Sequence, residues 1–189
     1  MVCVVASKTL QELRNLKKLI MSYCMELKLV FNIHSETSHS TRILQLLDKL
    51  ILTNLPKIIQ IINRKFFRFY QNLQILWVQQ CQSLNWLPVC QMLKYMDISE
   101  CEALEEIIII HKDEGMTGKT NFSQLKDVYL ENLTKLSNVF PSSCKFSSLE
   151  AMIIITCPAL VTFLEVKDPP DPTTSNSFFW NSISFSLKF

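Results

Sequence analysis

Apolar residues recur along this chain in a frame of twelve positions. In the segment Leu93–Leu104, apolar residues or cysteine stand at positions 1, 4, 6, 9 and 12 of that frame. The first half alternates as a short strand does, with Leu93, Met96 and Ile98 facing inward, and the second half carries the chain inward again around a bend. Because a strand of this size cannot bury its own apolar face, the pattern predicts copies of the same unit beside it.

Five further segments fit the frame. They are, in chain order, Leu16–Leu27, Leu47–Ile58, Leu73–Leu84, Leu125–Leu136 and Leu149–Leu160. Position 1 is Leu in every copy, positions 4, 6 and 12 are aliphatic or Met, and position 9 is Cys or Leu. This is the leucine-rich-repeat pattern L-x-x-L-x-L-x-x-(N/C/L)-x-x-L. We therefore predict an α/β repeat solenoid, an irregular leucine-rich-repeat horseshoe with about six parallel strands on its concave face.

The repeats divide the chain into three expected parts. Residues 1–12 form an N-terminal lead-in, which we interpret as the remnant of an earlier repeat, and residues 13–165 form the repeat domain. Residues 166–189 form a tail rich in Pro, Ser and aromatic residues, either a cap over the last coil or a segment that docks a partner. Since no polar cap precedes the first repeat, we expect a piece of a longer array or an end that something covers.

Residues between the motif positions face away from the core and form an open surface. Position 5 reads Ile20, Ile51, Trp77, Asp97, Tyr129 and Ile153, while position 3 reads Lys18, Lys49, Ile75, Tyr95, Asp127 and Ala151. The predicted binding site comprises Trp77, Gln79, Tyr95, Asp97, Lys126, Tyr129 and Glu131. Aromatic residues flanked by charges are typical of protein-binding hot spots. The alternative is that neighbouring domains of a longer protein cover these aromatic side chains.

Composition narrows the classes of function. The net charge is +2, with 19 basic and 17 acidic residues, so we expect no nucleic-acid partner. No segment reaches the roughly 18–20 apolar residues of a membrane span. The first residues lack the charged region and the apolar core of a signal peptide, so we predict a cytoplasmic protein. The seven cysteines are an odd number, and four occupy repeat position 9, which favours buried thiols over disulfides.

No arrangement of residues suggests catalysis. The sequence lacks G-x-S-x-G, H-E-x-x-H and C-x-x-C, and Gly118-Lys119-Thr120 matches only the end of a phosphate-binding loop. The three histidines, His34, His39 and His111, lie in polar segments without other ligands at zinc-like spacing. We therefore predict neither a catalytic site, a cofactor nor a metal, and a chain that is not an enzyme.

Several segments resemble one protein family. They are Leu73–Leu84, Leu93–Ile107, Phe146–Glu150 and Thr156–Leu160, together with the N-L-P-K-I and N-L-T-K-L turns at Asn54–Ile58 and Asn132–Leu136. They are similar to the C-terminal leucine-rich-repeat region of plant intracellular, coiled-coil nucleotide-binding disease-resistance proteins. The resemblance implies sensing of a pathogen effector or a host guardee and restraint of a nucleotide-binding switch domain. That domain's motifs are missing, so we expect a fragment or a truncated paralogue.

These observations favour a non-catalytic protein-recognition module in plant innate immunity. The predicted partners are a pathogen effector, a host guardee or a nucleotide-binding domain on a full-length receptor. The alternative is a substrate-recognition adaptor of the ubiquitin-ligase type, but such adaptors carry an F-box, for which residues 1–15 leave no room. A further alternative is an extracellular receptor. The repeats of such receptors contain many glycines and have pairs of cysteines in their caps, whereas this chain has 2 glycines.

Overall fold

A computed structural model describes residues 3–6, 10–32, 44–62, 71–110, 121–140, 144–160 and 185–188. Its strands are β1 (Cys3–Ala6), β2 (Lys18–Ser22), β3 (Leu29–Asn32), β4 (Lys49–Thr53), β5 (Gln60–Ile62), β6 (Ile75–Gln79), β7 (Trp86–Cys90), β8 (Tyr95–Ser99), β9 (Glu106–Ile110), β10 (Asn121–Phe122), β11 (Asp127–Glu131), β12 (Lys145–Phe146), β13 (Ala151–Ile155) and β14 (Phe185–Lys188). A 3-10 helix spans Leu10–Asn15. Gly118–Thr120 and the three histidines lie outside the described residues.

One strand from each of the six repeats enters a common sheet in the order β2-β4-β6-β8-β11-β13, and β14 lies beside β13. The six repeat strands are all parallel, whereas β14 pairs antiparallel with β13. Each strand spans positions 3 to 7 of its repeat, and equal positions pair across every ladder. The predicted solenoid with six parallel strands on one face is therefore confirmed.

Alternate residues of these strands point into a continuous core. Leu50 and Leu52 of β4, at positions 4 and 6, are 1% and 0% exposed, and the residues on either side of them are half-buried. Leu73 and Leu84, at positions 1 and 12, are also fully buried. Since each coil covers the core face of the one before it, burial depends on stacking as well as on the repeat itself.

The chain leaves each strand through a residue in the left-handed region. Position 8 has φ between 52° and 58° in all six repeats, at Tyr23, Asn54, Gln80, Glu100, Asn132 and Thr156. The next residue then points inward except in the first repeat, where Cys24 is exposed. In five repeats the position-12 amide donates to the position-9 carbonyl, as Leu104 N does to Cys101 O at 3.0 Å. None of these residues is Gly, so each turn contains local backbone strain that the surrounding packing compensates.

The return side of each coil is built from short strands and turns. Strands β1, β3 and β5 form one small parallel sheet, while β7 pairs with β9 and β10 with β12. No α-helix occurs among the described residues, so the segments that could have been helical in an α/β solenoid are extended here. Phe122 and Phe146, each three residues before a leading Leu, stack with ring centroids 5.6 Å apart and fill the space between neighbouring coils.

The cysteines at position 9 are thiols, as predicted, but two of the four are not fully buried. Cys81 and Cys101 are fully buried, Cys157 is half-buried and Cys24 is exposed. Each thiol donates to the position-7 carbonyl of its own coil, at 3.3 Å for Cys101 Sγ to Ser99 O. A small apolar side chain with a weak donor therefore fits this turn, and in the other two coils Leu55 and Leu133 occupy the same position and are fully buried.

Candidate functional site

The pairing register brings most of the predicted site residues together on the concave face. Asp97 of β8 pairs with Trp77 of β6 on one side and with Tyr129 of β11 on the other, which places the three residues in a row at about 4.8 Å per strand. Tyr95 and Glu131 lie two residues away along β8 and β11, on the same face. We call these five residues the central patch.

Within the central patch, each tyrosine is bound to a carboxylate of its own strand. The Tyr95 hydroxyl donates to Asp97 Oδ2 at 3.1 Å, and the Tyr129 hydroxyl donates to Glu131 Oε2 at 2.7 Å. Residues i and i+2 of a strand share a face, so both bonds form locally. The two rings are thereby held in fixed orientations, as a preorganised binding surface requires.

The carboxylates of Asp97 and Glu131, both in the central patch, repel each other. Burial raises the pKa of Asp97, and the negative charge of Glu131 raises it further, against the opposing effect of the Tyr95 hydroxyl. The pKa of Tyr95 is raised to about 12, mainly by burial and by Asp97, and that of Tyr129 to about 12, mainly by its bond to Glu131. Among the described residues, neither carboxylate has a basic partner within ion-pair distance.

The two other predicted residues lie at the border of this cluster. Gln79, which pairs with Ser99, is half-buried at the end of β6. Lys126 precedes β11, is exposed and forms an ion pair with Glu150, so its charge is directed away from Asp97. Asp127, which was not among the predicted site residues, pairs with Tyr95 and adds a third carboxylate beside the patch. Asp127 stands at the outward-facing position 3 of its repeat, and this position could have identified it from the sequence.

The described residues offer no alternative centre for chemistry. They contain no group of three or more His, Cys, Asp or Glu side chains that could hold a metal ion. The thiol of Cys101 has a pKa well above its usual value because of its hydrogen bond with Cys81 and its burial. Such a thiol is a poor nucleophile, since reactivity follows the thiolate. Within the described part of the chain, no helix has the length and hydrophobicity needed to cross a bilayer.

A comparison with known protein families identifies the family of the repeats. A family model described as "Plant disease resistance protein RPS2-like, leucine-rich repeats" matches residues 1–87 and 66–167, and so covers most of the chain. No solved structure matches.

Three similar proteins come from Arabidopsis thaliana. "Probable disease resistance protein At5g47260" is 30% identical over 105 residues, which are 52% of this chain and 11% of that protein. "Probable disease resistance protein At1g61300" is 31% identical over 94 residues, 48% of this chain and 12% of that protein. "Disease resistance protein UNI" is 28% identical over 135 residues, 64% of this chain and 15% of that protein. The alignments therefore span only about 11% to 15% of the length of these relatives.

Proposed function

The chain belongs to the leucine-rich-repeat family of plant disease-resistance proteins, and on that premise we propose that it is a non-catalytic module that recognises another protein through its concave face. The repeat domain, residues 13–165, supplies that face, with residues 1–12 and 166–189 as lead-in and tail. The partner is a pathogen effector, a host guardee or a nucleotide-binding domain of a full-length receptor. The proposal locates this recognition in the cytoplasm.

One observation carries the proposal: the central patch is aromatic, acidic and oriented by its own hydrogen bonds. Trp77 is 39% exposed even though it lies on an interior strand of a seven-stranded sheet. Burial of Trp and Tyr is a main source of affinity in protein interfaces. Because Tyr95 and Tyr129 are already bound to carboxylates, little side-chain entropy is lost when a partner covers them.

The test is co-precipitation of the tagged chain from plant extract, followed by mass spectrometry of the captured proteins. We compare the wild type with the triple variant Trp77→Ala, Tyr129→Ala, Asp97→Lys and with the single variant Ile59→Ala. Ile59 is 44% exposed but follows the turn after β4, outside the concave sheet, so its variant controls for the loss of an exposed apolar side chain.

The expected result is a set of proteins that the wild type and Ile59→Ala capture and the triple variant loses. Each of the three replaced residues lies at position 5, which points away from the core. The variants should therefore have the circular dichroism spectrum and the thermal unfolding temperature of the wild type. If the triple variant captures the same proteins in the same amounts as the wild type, recognition through the concave face is refuted.

A further inference from the structure

The concave face changes its chemistry from the first coil to the fifth. At position 3, Lys18 pairs with Lys49 across β2 and β4, and Tyr95 pairs with Asp127 across β8 and β11. Between these ends lie three apolar side chains of the second and third coils, Ile51, Ile75 and Trp77. The face is therefore basic at one end, apolar in the middle and acidic beyond the middle.

Both charged ends are unfavourable within the folded protein itself. Like charges directly opposite each other on neighbouring strands destabilise a sheet, and Lys18 with Lys49 is such a pair. At the other end, Asp97 is half-buried and repelled by Glu131. Elsewhere the described surface contains opposite charges in contact, as in the Lys57–Glu26 ion pair at 2.6 Å. A partner with the complementary charges would relieve the repulsion at both ends.

The dimensions of the face indicate the form of that partner. Positions 3 to 7 span about 13 Å along each strand at roughly 3.3 Å per residue, which is close to the 10–12 Å diameter of an α-helix with its side chains. Across the strands, the basic end and the acidic end are about 14 Å apart, because three strand spacings of about 4.8 Å separate their centres. On a helix that rises 1.5 Å per residue, this distance corresponds to about nine or ten residues, and the nearest spacing that keeps both residues on one face of the helix is eleven residues, about 16.5 Å.

We propose that the concave face binds an amphipathic helix of its partner, which crosses the strands with an acidic residue over Lys18 and Lys49 and a basic residue over Asp97, Asp127 and Glu131. The apolar stripe of the helix packs on Ile51, Ile75 and Trp77. This inference rests on the proposed function, since it specifies the partner of the same surface. The inference specifies which end of the helix is acidic, which end is basic, and how far apart the two charges lie.

The test is a selection from a yeast-displayed library of helices of about 18 residues. An apolar stripe at i, i+4, i+7 and i+11 is fixed, and the positions that flank it are randomised. Three proteins are compared with the wild type: K18E/K49E for the basic end, D97K/D127K for the acidic end, and K135E/K145E as a control. The control makes the same number of charge reversals at two exposed lysines outside the concave sheet.

The expected helices carry an acidic residue at one end of the stripe and a basic residue about eleven positions away, on the same face of the helix. K18E/K49E and D97K/D127K should each weaken their binding about tenfold or more, and K135E/K145E should not change it. A selection on K18E/K49E should yield helices that are basic at both ends.

Two other outcomes are distinguishable. If the selected helices lose binding when Trp77 and Tyr129 are truncated but show no preferred charges, the concave face binds proteins and the inferred polarity is wrong. If the selection yields no binder, or binders that retain their affinity for every concave-face variant, the inferred helix is wrong, and the co-precipitation of the triple variant decides the proposed function separately.

Discussion

Replacing Asp97 by Asn should stabilise the protein while it weakens partner binding. Asn keeps the size of the side chain and a carbonyl oxygen that can accept the Tyr95 hydroxyl, which donates to Asp97 Oδ2 at 3.1 Å. It removes a half-buried negative charge that has no basic partner among the described residues. A residue retained for binding is expected to cost stability in this way.

The expected gain is about 1 kcal/mol. Asp97 pairs with Tyr129, so Glu131 is its diagonal neighbour, at about 8 Å. Two unit charges at that distance repel by about 0.5 kcal/mol in water and about 2 kcal/mol at the effective dielectric constant near a protein surface. Relief of the desolvation of the carboxylate adds to the gain, and the weaker hydrogen bond to a neutral acceptor subtracts from it.

The pH dependence identifies the charge as the cause. The folded-state pKa of Asp97 is raised, so the stability that its protonated form provides is complete below the unfolded pKa, about 3.9, and is lost as the pH rises through the folded pKa. Asp97→Asn should therefore match the wild type near pH 3.5 and exceed it at pH 7 in urea denaturation. A variant that is less stable by 1 kcal/mol or more at pH 7 would show that Asp97 stabilises the fold, and our reasoning would be wrong.

Other predictions concern the turns, the thiols and the tyrosines. Thr156→Asn should raise the free energy of unfolding by about 0.5–1 kcal/mol and Asn132→Thr should lower it similarly, because φ is 52° and 53° at these residues and Asn tolerates this region better. N-ethylmaleimide should label exposed Cys24 in the native protein and buried Cys101 only on unfolding, and equal labelling rates would contradict the fold. The pKa of Tyr129 is about 12, so absorbance at 295 nm should show it protonated at pH 11, and its contribution to stability, complete below pH 10, should disappear between about pH 10 and pH 12.

The repeat pattern was sufficient to predict the concave sheet. Six leading leucines fix the phase, and in a strand the phase decides which side chains point inward. That is why Leu50 and Leu52 are buried while Ile51 between them faces the open surface. Because each coil repeats the same frame, residues at the same repeat position form rows across the sheet, and the structure pairs those positions on neighbouring strands.

The return side of the coils could not be predicted in the same way. Its segments differ in length from coil to coil, and whether they pair depends on the neighbouring coil. Trp86–Cys90 contains Pro88, which argues against a strand, yet it forms β7 with all five residues buried, beside β9. The left-handed residues at position 8 were also missed, because the usual signal for a positive φ is Gly and here it is absent.

For the candidate site, the sequence predicted the members of the central patch but not their contacts. Lys126 was expected to belong to the patch, and its ion pair with Glu150 depends on how β11 and β13 align. The bonds from Tyr95 to Asp97 and from Tyr129 to Glu131 join residues two apart, so the strand assignment alone could have indicated them. What the sequence lacked was the burial that raises the pKa of Asp97.

The six coils have nearly equivalent cores, so the outward rows must distinguish one coil from another. In the position-5 row, Asp97 is the single charged residue among Ile20, Ile51, Trp77, Tyr129 and Ile153. A residue chosen for stability at that place would be apolar or aromatic, as it is in the other five coils. Under the proposed function, the unfavourable charge of Asp97 belongs to a surface that a partner completes, and a basic group of that partner would offset the repulsion and add to the affinity.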